Sequence, residues 1–98
     1  MFSTIFIKKS TIHGLGVFST KVFYENDVIL YNCIDNLTRK INYFGKYVNH
    51  SYNPNSILFF ENNMFHLIAL KTILPNEEIT SNYNYTPYYI NKPDKSWT

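Results

Sequence analysis

Two polar segments of the chain carry residue types that can bind a ligand or take part in a reaction. The first is Asn-His-Ser-Tyr-Asn-Pro-Asn at residues 49–55, and the second is Glu-Glu-Ile-Thr-Ser-Asn-Tyr at residues 77–83. Pro54 removes a backbone donor and favours extended geometry at Asn53, so the sequence predicts that the first segment continues neither a helix nor a strand. Its flanks are apolar enough to be buried, and a polar segment between buried flanks must satisfy its backbone groups through specific contacts. We therefore expect the functional site here.

His50 suggests a metal ligand or a general base. No second His or Cys lies at ligand spacing, because His13 and His66 are far away in the sequence. We therefore expect no metal site, and a structural or backbone-contact role for His50. Ser51 lacks the glycine-flanked turn that exposes a nucleophilic serine. Cys33 is the single cysteine, which excludes a disulfide within the chain, and its apolar surroundings predict a buried thiol.

Glycines and tyrosines outside the two polar segments add further candidates. The segment Gly14–Gly16 opens a predicted strand and is usually a tight turn, and it lacks the third glycine and following helix of a dinucleotide site. Tyr83, Tyr85, Tyr88 and Tyr89 cluster after the last predicted strand. They form either an aromatic patch that closes the core or an aromatic channel whose ring faces attract a cationic or methylated amine.

Length and composition favour one small domain. The 98 residues are 45% hydrophobic and 18% aromatic, enough to build a core in a short chain. A net charge of +2, with no block of Lys or Arg, does not indicate nucleic-acid binding. No apolar run reaches the ~20 residues that cross a bilayer, and Lys8 and Lys9 follow the first apolar stretch, the wrong order for a signal peptide. We expect a soluble intracellular protein, nuclear or cytoplasmic, without a membrane partner.

Short apolar stretches between turn signals predict a mainly β domain with little helix. The predicted strands are residues 4–7, 17–19, 28–31, 57–60, 65–70 and 79–82. Asn62-Asn63 predicts a hairpin turn, since Asn tolerates positive φ. The stretch 35–47 is the only one with room for a helix, of one or two short turns.

Residues 21–29 and 71–79 repeat one pattern. Each has a Lys, an apolar pair, a turn with Asn followed by an acidic residue, and the start of a strand. Asn26 and Asn76 fall where such a turn takes a left-handed residue. Either two similar units pack as related β elements, or the match arises by chance from a narrow residue alphabet.

Three segments together resemble the SET domain, a family of protein-lysine methyltransferases that use S-adenosylmethionine. They are Gly-Leu-Gly-Val-Phe at 14–18, Tyr-Val-Asn-His-Ser-Tyr-Asn-Pro-Asn at 47–55, and Ile-Leu-Pro-Asn-Glu-Glu-Ile-Thr-Ser-Asn-Tyr at 73–83. The short length is similar to that of small viral SET proteins that methylate host histone. The resemblance implies one minimal SET domain over residues 1–98, with short strands in small sheets and a C-terminal pseudo-knot. A short insert would occupy about 33–47 and a tail 84–98.

The resemblance also implies a cofactor site for S-adenosylmethionine. The backbone of Gly14, Leu15 and Gly16 would bind the cofactor. Asn49 and His50 would hold its methionyl amine and its adenine. The substrate implied is a lysine of a protein or peptide, with a histone among the candidates.

Tyr83 would be the catalytic tyrosine, in contact with the cofactor, and Tyr85 is our candidate for a second wall of the lysine channel. Glu78 would be a structural acid, and Asn76 replaces a turn glycine. Ser81 stands where many relatives carry an aromatic residue that limits the number of methyl groups added, so more than one methyl is expected.

The chain departs from the family pattern in its short insert, a region that normally helps to recognise substrate. A homodimer could supply the wall of the substrate site that the short insert does not form. Tyr88, Tyr89 or Trp97 could cover the cofactor. The alternative function is a SET module that has lost catalysis and binds a peptide or partner.

Overall fold

The structure, a computed structural model, describes residues 3–87 and residue 90. Within them the chain forms strands β1 Ile5–Lys9, β2 Leu15–Ser19, β3 Val28–Asp35, β4 Asn49–His50, β5 Ser56–Glu61, β6 Met64–Ala69 and β7 Glu78–Ser81. Two short 3₁₀ helices cover Gly45–Tyr47 and Tyr83–Tyr85. The mainly β prediction is therefore confirmed.

All six predicted strands are present, with ends that differ by up to four residues. The largest difference is at β3, which continues to Asp35 because Cys33 and Ile34 are buried in the core. Strand β3 thus includes the first three residues of the predicted insert, and the term insert means residues 36–47 from here. The hairpin turn is confirmed, with φ of 51° at Asn62 and 62° at Asn63.

Two predictions of local structure are wrong. Asn49–His50 forms strand β4, because these two residues pair in parallel with Thr80 and Ser81 of β7. The distant partner satisfies their backbone groups, and Pro54 lies beyond the short strand. Helical structure is also not confined to 35–47, because a 3₁₀ helix covers Tyr83–Tyr85 as well as Gly45–Tyr47.

The strands follow the hydrogen-bonded order β1-β2-β7-β5-β6-β3, with β4 beside β7. Strand β7 is antiparallel to β2 and parallel to β4 and β5. The C-terminal strand is thus enclosed by strands from both halves of the chain, as expected of the pseudo-knot.

The repeated pattern forms two turns of the same geometry. Asn26 has φ of 73° and Asn76 has φ of 68°. In each turn the acidic side chain accepts the backbone N–H of the residue three positions earlier, at 2.7 Å for Asp27 and 3.1 Å for Glu77. The similarity between the segments therefore reflects a shared local structure.

The two repeated segments also pack against each other. The backbones of Phe23 and Ile73 exchange two hydrogen bonds, of 2.9 and 2.8 Å. The N–H of Asn26 donates to the last carbonyl of β6 at 2.8 Å, and the N–H of Asn76 donates to the last carbonyl of β2 at 2.6 Å. The first repeated segment connects the hairpin β1-β2 to β3, and the second connects the hairpin β5-β6 to β7; each such set of three strands is one unit. The third strand of each unit pairs with the hairpin of the other, β7 with β2 and β3 with β6.

The centre of the core is formed by Val17, Leu67, Ile73 and Ile79, each at most 1% exposed. They come from β2, β6, the second turn and β7, so burial joins the two units. Complete burial of each such side chain contributes about 1.5–3 kcal/mol. No helix in the described part of the chain is long and apolar enough to cross a membrane.

Candidate functional site

Asn49 connects the first polar segment to residues 10–16, here called the glycine loop. Its Nδ2 lies 3.1 Å from the carbonyl oxygen of His13, 3.2 Å from that of Leu15 and 2.9 Å from Glu78 Oε2. The hydroxyl of Ser10 donates to the same carboxylate, at 2.7 Å from Oε1. Asn49 and Glu78 thus fix the glycine loop, and the expected structural role of Glu78 agrees with these contacts.

The two glycines of the loop differ in their surroundings. Gly14 is exposed with φ of +47°, and a β-carbon there would meet no atom within 4 Å. Gly16 is buried, and a β-carbon there would overlap the carboxylate of Glu78, whose Cδ would lie 2.9 Å away. The backbone at Gly14 is therefore accessible to a ligand, whereas Gly16 leaves space for Glu78.

His50 is buried and positions Tyr83. Its Nδ1 accepts the backbone N–H of Tyr83 at 3.1 Å. The ring of Tyr52 lies edge-on to the imidazole at a centroid distance of 4.3 Å, and that of Tyr83 lies at 5.1 Å. Burial lowers the pKa of His50, because a buried imidazolium loses its hydration. The imidazole is therefore neutral at pH 7 and can act as an acceptor.

We expect His50 to make the free energy of unfolding depend on pH below neutrality. A His whose pKa is lower in the folded protein binds a proton more readily when unfolded. Its stabilisation is complete above the unfolded pKa of about 6.5 and is lost as the pH falls from there toward the folded pKa. Urea unfolding between pH 7.5 and 5.5 measures this loss.

The matched variants for this measurement are His50→Gln and His13→Gln, since His13 is exposed. His50→Gln should flatten the pH dependence, and His13→Gln should leave it unchanged. An equal slope in wild type and His50→Gln would show that His50 is not responsible.

Tyr83 lies on the wall of a cavity of about 340 Å³. Its hydroxyl donates to the carbonyl oxygen of Val48 at 2.7 Å. Burial raises the pKa of Tyr83, so the phenol keeps its proton at neutral pH. The cavity is mainly apolar, lined by Cys33, Ile34, Ile41, Gly45, Lys46, Val48, Leu58, Leu67, Ser81, Tyr83, Thr86 and Ile90.

The structure brings together most of the predicted site residues. Asn49 contacts Leu15 directly, and His50 contacts Tyr83. Tyr85, predicted as a channel wall, is 68% exposed and does not line the cavity. Its role stays a prediction, and the proposed cofactor covers Tyr88, Tyr89 and Trp97 lie outside the described residues.

Sequence reasoning missed two positioning groups. The carbonyl of Val48 holds the Tyr83 hydroxyl, and the residue types in a sequence do not show which backbone carbonyl a side chain will bind. Ser10 lies 68 positions from Glu78, so only the fold could pair them.

The cysteine prediction is confirmed. Cys33 is a free, buried thiol whose pKa is raised by burial to about 11. Within residues 3–87 and 90, no group of three or more His, Cys, Asp or Glu side chains could hold a metal ion.

The family profile of the SET domain matches residues 30–84, more than half of the chain. The chain belongs to the SET domain family. The matched span begins inside β3, so the glycine loop of this SET domain precedes it and joins it through Asn49 and Glu78. The chain matches no curated protein sequence at a significant level.

This SET domain also shares its fold with a crystal structure from Plasmodium falciparum, of a protein provisionally assigned as a histone methyltransferase. The two are 24% identical with a TM-score of 0.65, over 88% of this chain and 97% of that one. At this identity the likeness establishes the common fold.

Proposed function

We propose that this SET domain is an S-adenosylmethionine-dependent protein-lysine N-methyltransferase with Tyr83 as its catalytic residue. The observation that carries the proposal is the placement of Tyr83. Its hydroxyl is held by the Val48 carbonyl at the cavity wall, and its backbone N–H is held by His50. Tyr83 thus lines the cavity and also contacts His50, which directly follows Asn49, the residue that fixes the glycine loop.

The residues present fit the cofactor on the glycine-loop side. The exposed backbone at Gly14 has open space above it, and Asn49 keeps the loop carbonyls in place through its Nδ2. When bound, S-adenosylmethionine supplies an electrophilic methyl group on a sulfonium. Gly14, Leu15, Gly16, Asn49 and His50 would hold it, in direct contact or by fixing the loop.

The cavity suits the acceptor amine. Lysine must be neutral to act as a nucleophile, and an apolar lining lowers the pKa of an entering ammonium because it removes water. The Tyr83 hydroxyl and the Val48 carbonyl would orient that amine. Alignment of two reactants in this way can account for about 7–11 kcal/mol of barrier reduction. Tyr85 would form a second channel wall only after its side chain turns inward.

The experiment that tests the proposal is incubation with labelled S-adenosylmethionine and core histones, with site mapping of the product. Histones are tested first because the structurally similar Plasmodium falciparum protein is provisionally assigned as a histone methyltransferase. Calorimetry measures cofactor binding separately. Absence of both cofactor binding and transfer would overturn the proposal.

A SET module that binds a peptide without catalysis is the second candidate function. The exposed position of Tyr85, outside the cavity lining, favours it. Saturable cofactor binding with turnover on any lysine substrate would eliminate this candidate.

We expect the product to carry more than one methyl group. Ser81 is small and lines the cavity beside Tyr83, which leaves space for an amine that already bears a methyl group. Mass spectrometry of the product under excess cofactor should show di- or trimethyl-lysine, and Ser81→Phe should shift it toward monomethyl. Only monomethyl-lysine from the wild type would contradict this prediction.

A further inference from the structure

The segment that supplies five residues of the cavity lining, from Ile41 to Leu58, carries charges of one sign. Residues 36–60 contain Arg39, Lys40 and Lys46 and no Asp or Glu. The nearest preceding acid, Asp35, accepts the backbone N–H groups of residues 37 and 38 at 2.9 and 3.3 Å. Its carboxylate is therefore engaged in the turn at the start of the insert.

Lys46 is the charged member of the described cavity lining, and no carboxylate joins it there. It is exposed. It precedes by two residues Val48, whose carbonyl holds the Tyr83 hydroxyl, so its Cα is at most about 7 Å from that of Val48. The base of this cationic side chain therefore lies close to the proposed point of reaction.

The backbone of Lys46 is held in place from two sides. Its N–H donates to the carbonyl of Asn42 at 3.1 Å. The preceding Gly45 packs so closely that a β-carbon there would lie 2.7 Å from Cys33 Sγ. The 3₁₀ helix thus keeps the base of the Lys46 side chain at the cavity.

We propose that Lys46 is a specificity-determining residue that selects target lysines flanked by acidic residues. The inference depends on the proposed methyltransferase function and names its substrate class. A carboxylate beside the target lysine would pair with Lys46, whereas a basic neighbour would be repelled by it. A strongly basic histone tail is the less favoured substrate on this argument.

The test uses three peptides with one central lysine and acidic, neutral or basic flanks. We expect wild-type kcat/KM to fall in that order, by about five-fold per step, the size of one partly solvated ion pair. The difference should appear in KM and shrink at high salt, because screening weakens exposed pairs. Lys46→Glu should reverse the order.

Lys71→Glu is the matched control. It makes the same charge change at an exposed residue outside the cavity lining, so it should keep the wild-type order. Fluorescence polarisation with labelled peptides measures the same preference as affinity, even where no methyl is transferred. Equal affinity for all three peptides, or an unchanged order in Lys46→Glu, would overturn the inference.

Two further outcomes separate the inference from the function it depends on. Transfer to the neutral peptide without any charge preference leaves the methyltransferase proposal standing and removes this one. Detection of methyl groups on Lys46 itself by peptide fragmentation mass spectrometry would make Lys46 a substrate and would overturn its assignment as a selectivity residue.

Discussion

Tyr83→Phe is expected to lower kcat for methyl transfer by about 100-fold or more, with the SET fold retained. The change removes the one hydroxyl that is both fixed on the Val48 carbonyl and part of the cavity wall. The ring stays against His50, so packing is kept, and loss of the hydrogen bond should cost about 1 kcal/mol of stability. Single-turnover transfer of labelled methyl measures the activity, and urea unfolding measures the stability.

Tyr31→Phe is the control, because Tyr31 is 68% exposed and lies outside the cavity lining. It removes the same atom and should leave kcat unchanged. Tyr85→Phe then tests the predicted second wall of the lysine channel independently. If Tyr83→Phe keeps most of the wild-type kcat, Tyr83 is not the catalytic residue.

Gly16→Ala is expected to destabilise the domain by about 2–3 kcal/mol, the cost of overpacking a buried site. The new methyl would collide with the carboxylate of Glu78. That carboxylate is held by Ser10 and Asn49, so it cannot move without leaving polar groups unsatisfied. For a domain of this size the melting temperature should fall by roughly 10–20 °C, measured by thermal unfolding.

Gly14→Ala separates this collision from the general cost of replacing glycine. A methyl at Gly14 meets open space, and the expected cost is the strain of a left-handed residue, about 1 kcal/mol. Pairing Gly16→Ala with Glu78→Ala in a double-mutant cycle should show a coupling of about 1 kcal/mol or more. A smaller effect at Gly16 than at Gly14 would contradict the assigned packing.

Local sequence signals predicted most of the fold because they depend on neighbouring residues. Asparagine at positive φ marked both repeated turns and the hairpin at residues 62 and 63. Strand β4 was missed because Asn49 and His50 become a strand only beside β7, about thirty positions away. A segment of two residues is too short to show the alternating apolar pattern that predicts a strand.

The properties of the site likewise divide into those that a sequence motif predicts and those that depend on the fold. Asn49, His50 and Tyr83 were predicted through motif resemblance, and the structure adds what each of them contacts. The direction of the Tyr85 side chain could not be deduced, since it depends on how the 3₁₀ helix meets the cavity. The predicted homodimer depends on a second surface and stays a prediction.

The pairing of β2 with β7 and of β3 with β6 has a consequence for folding during synthesis. On the ribosome β2 and β3 emerge well before their partners β7 and β6. The first half of the chain therefore keeps open strand edges, which are prone to aggregate, until Ser81 has left the exit tunnel. The domain therefore cannot finish folding before β7 has emerged, and its long-range pairings make folding slow for a domain of this length. In the cell, abundance of this domain should depend on chaperones that shield the nascent chain.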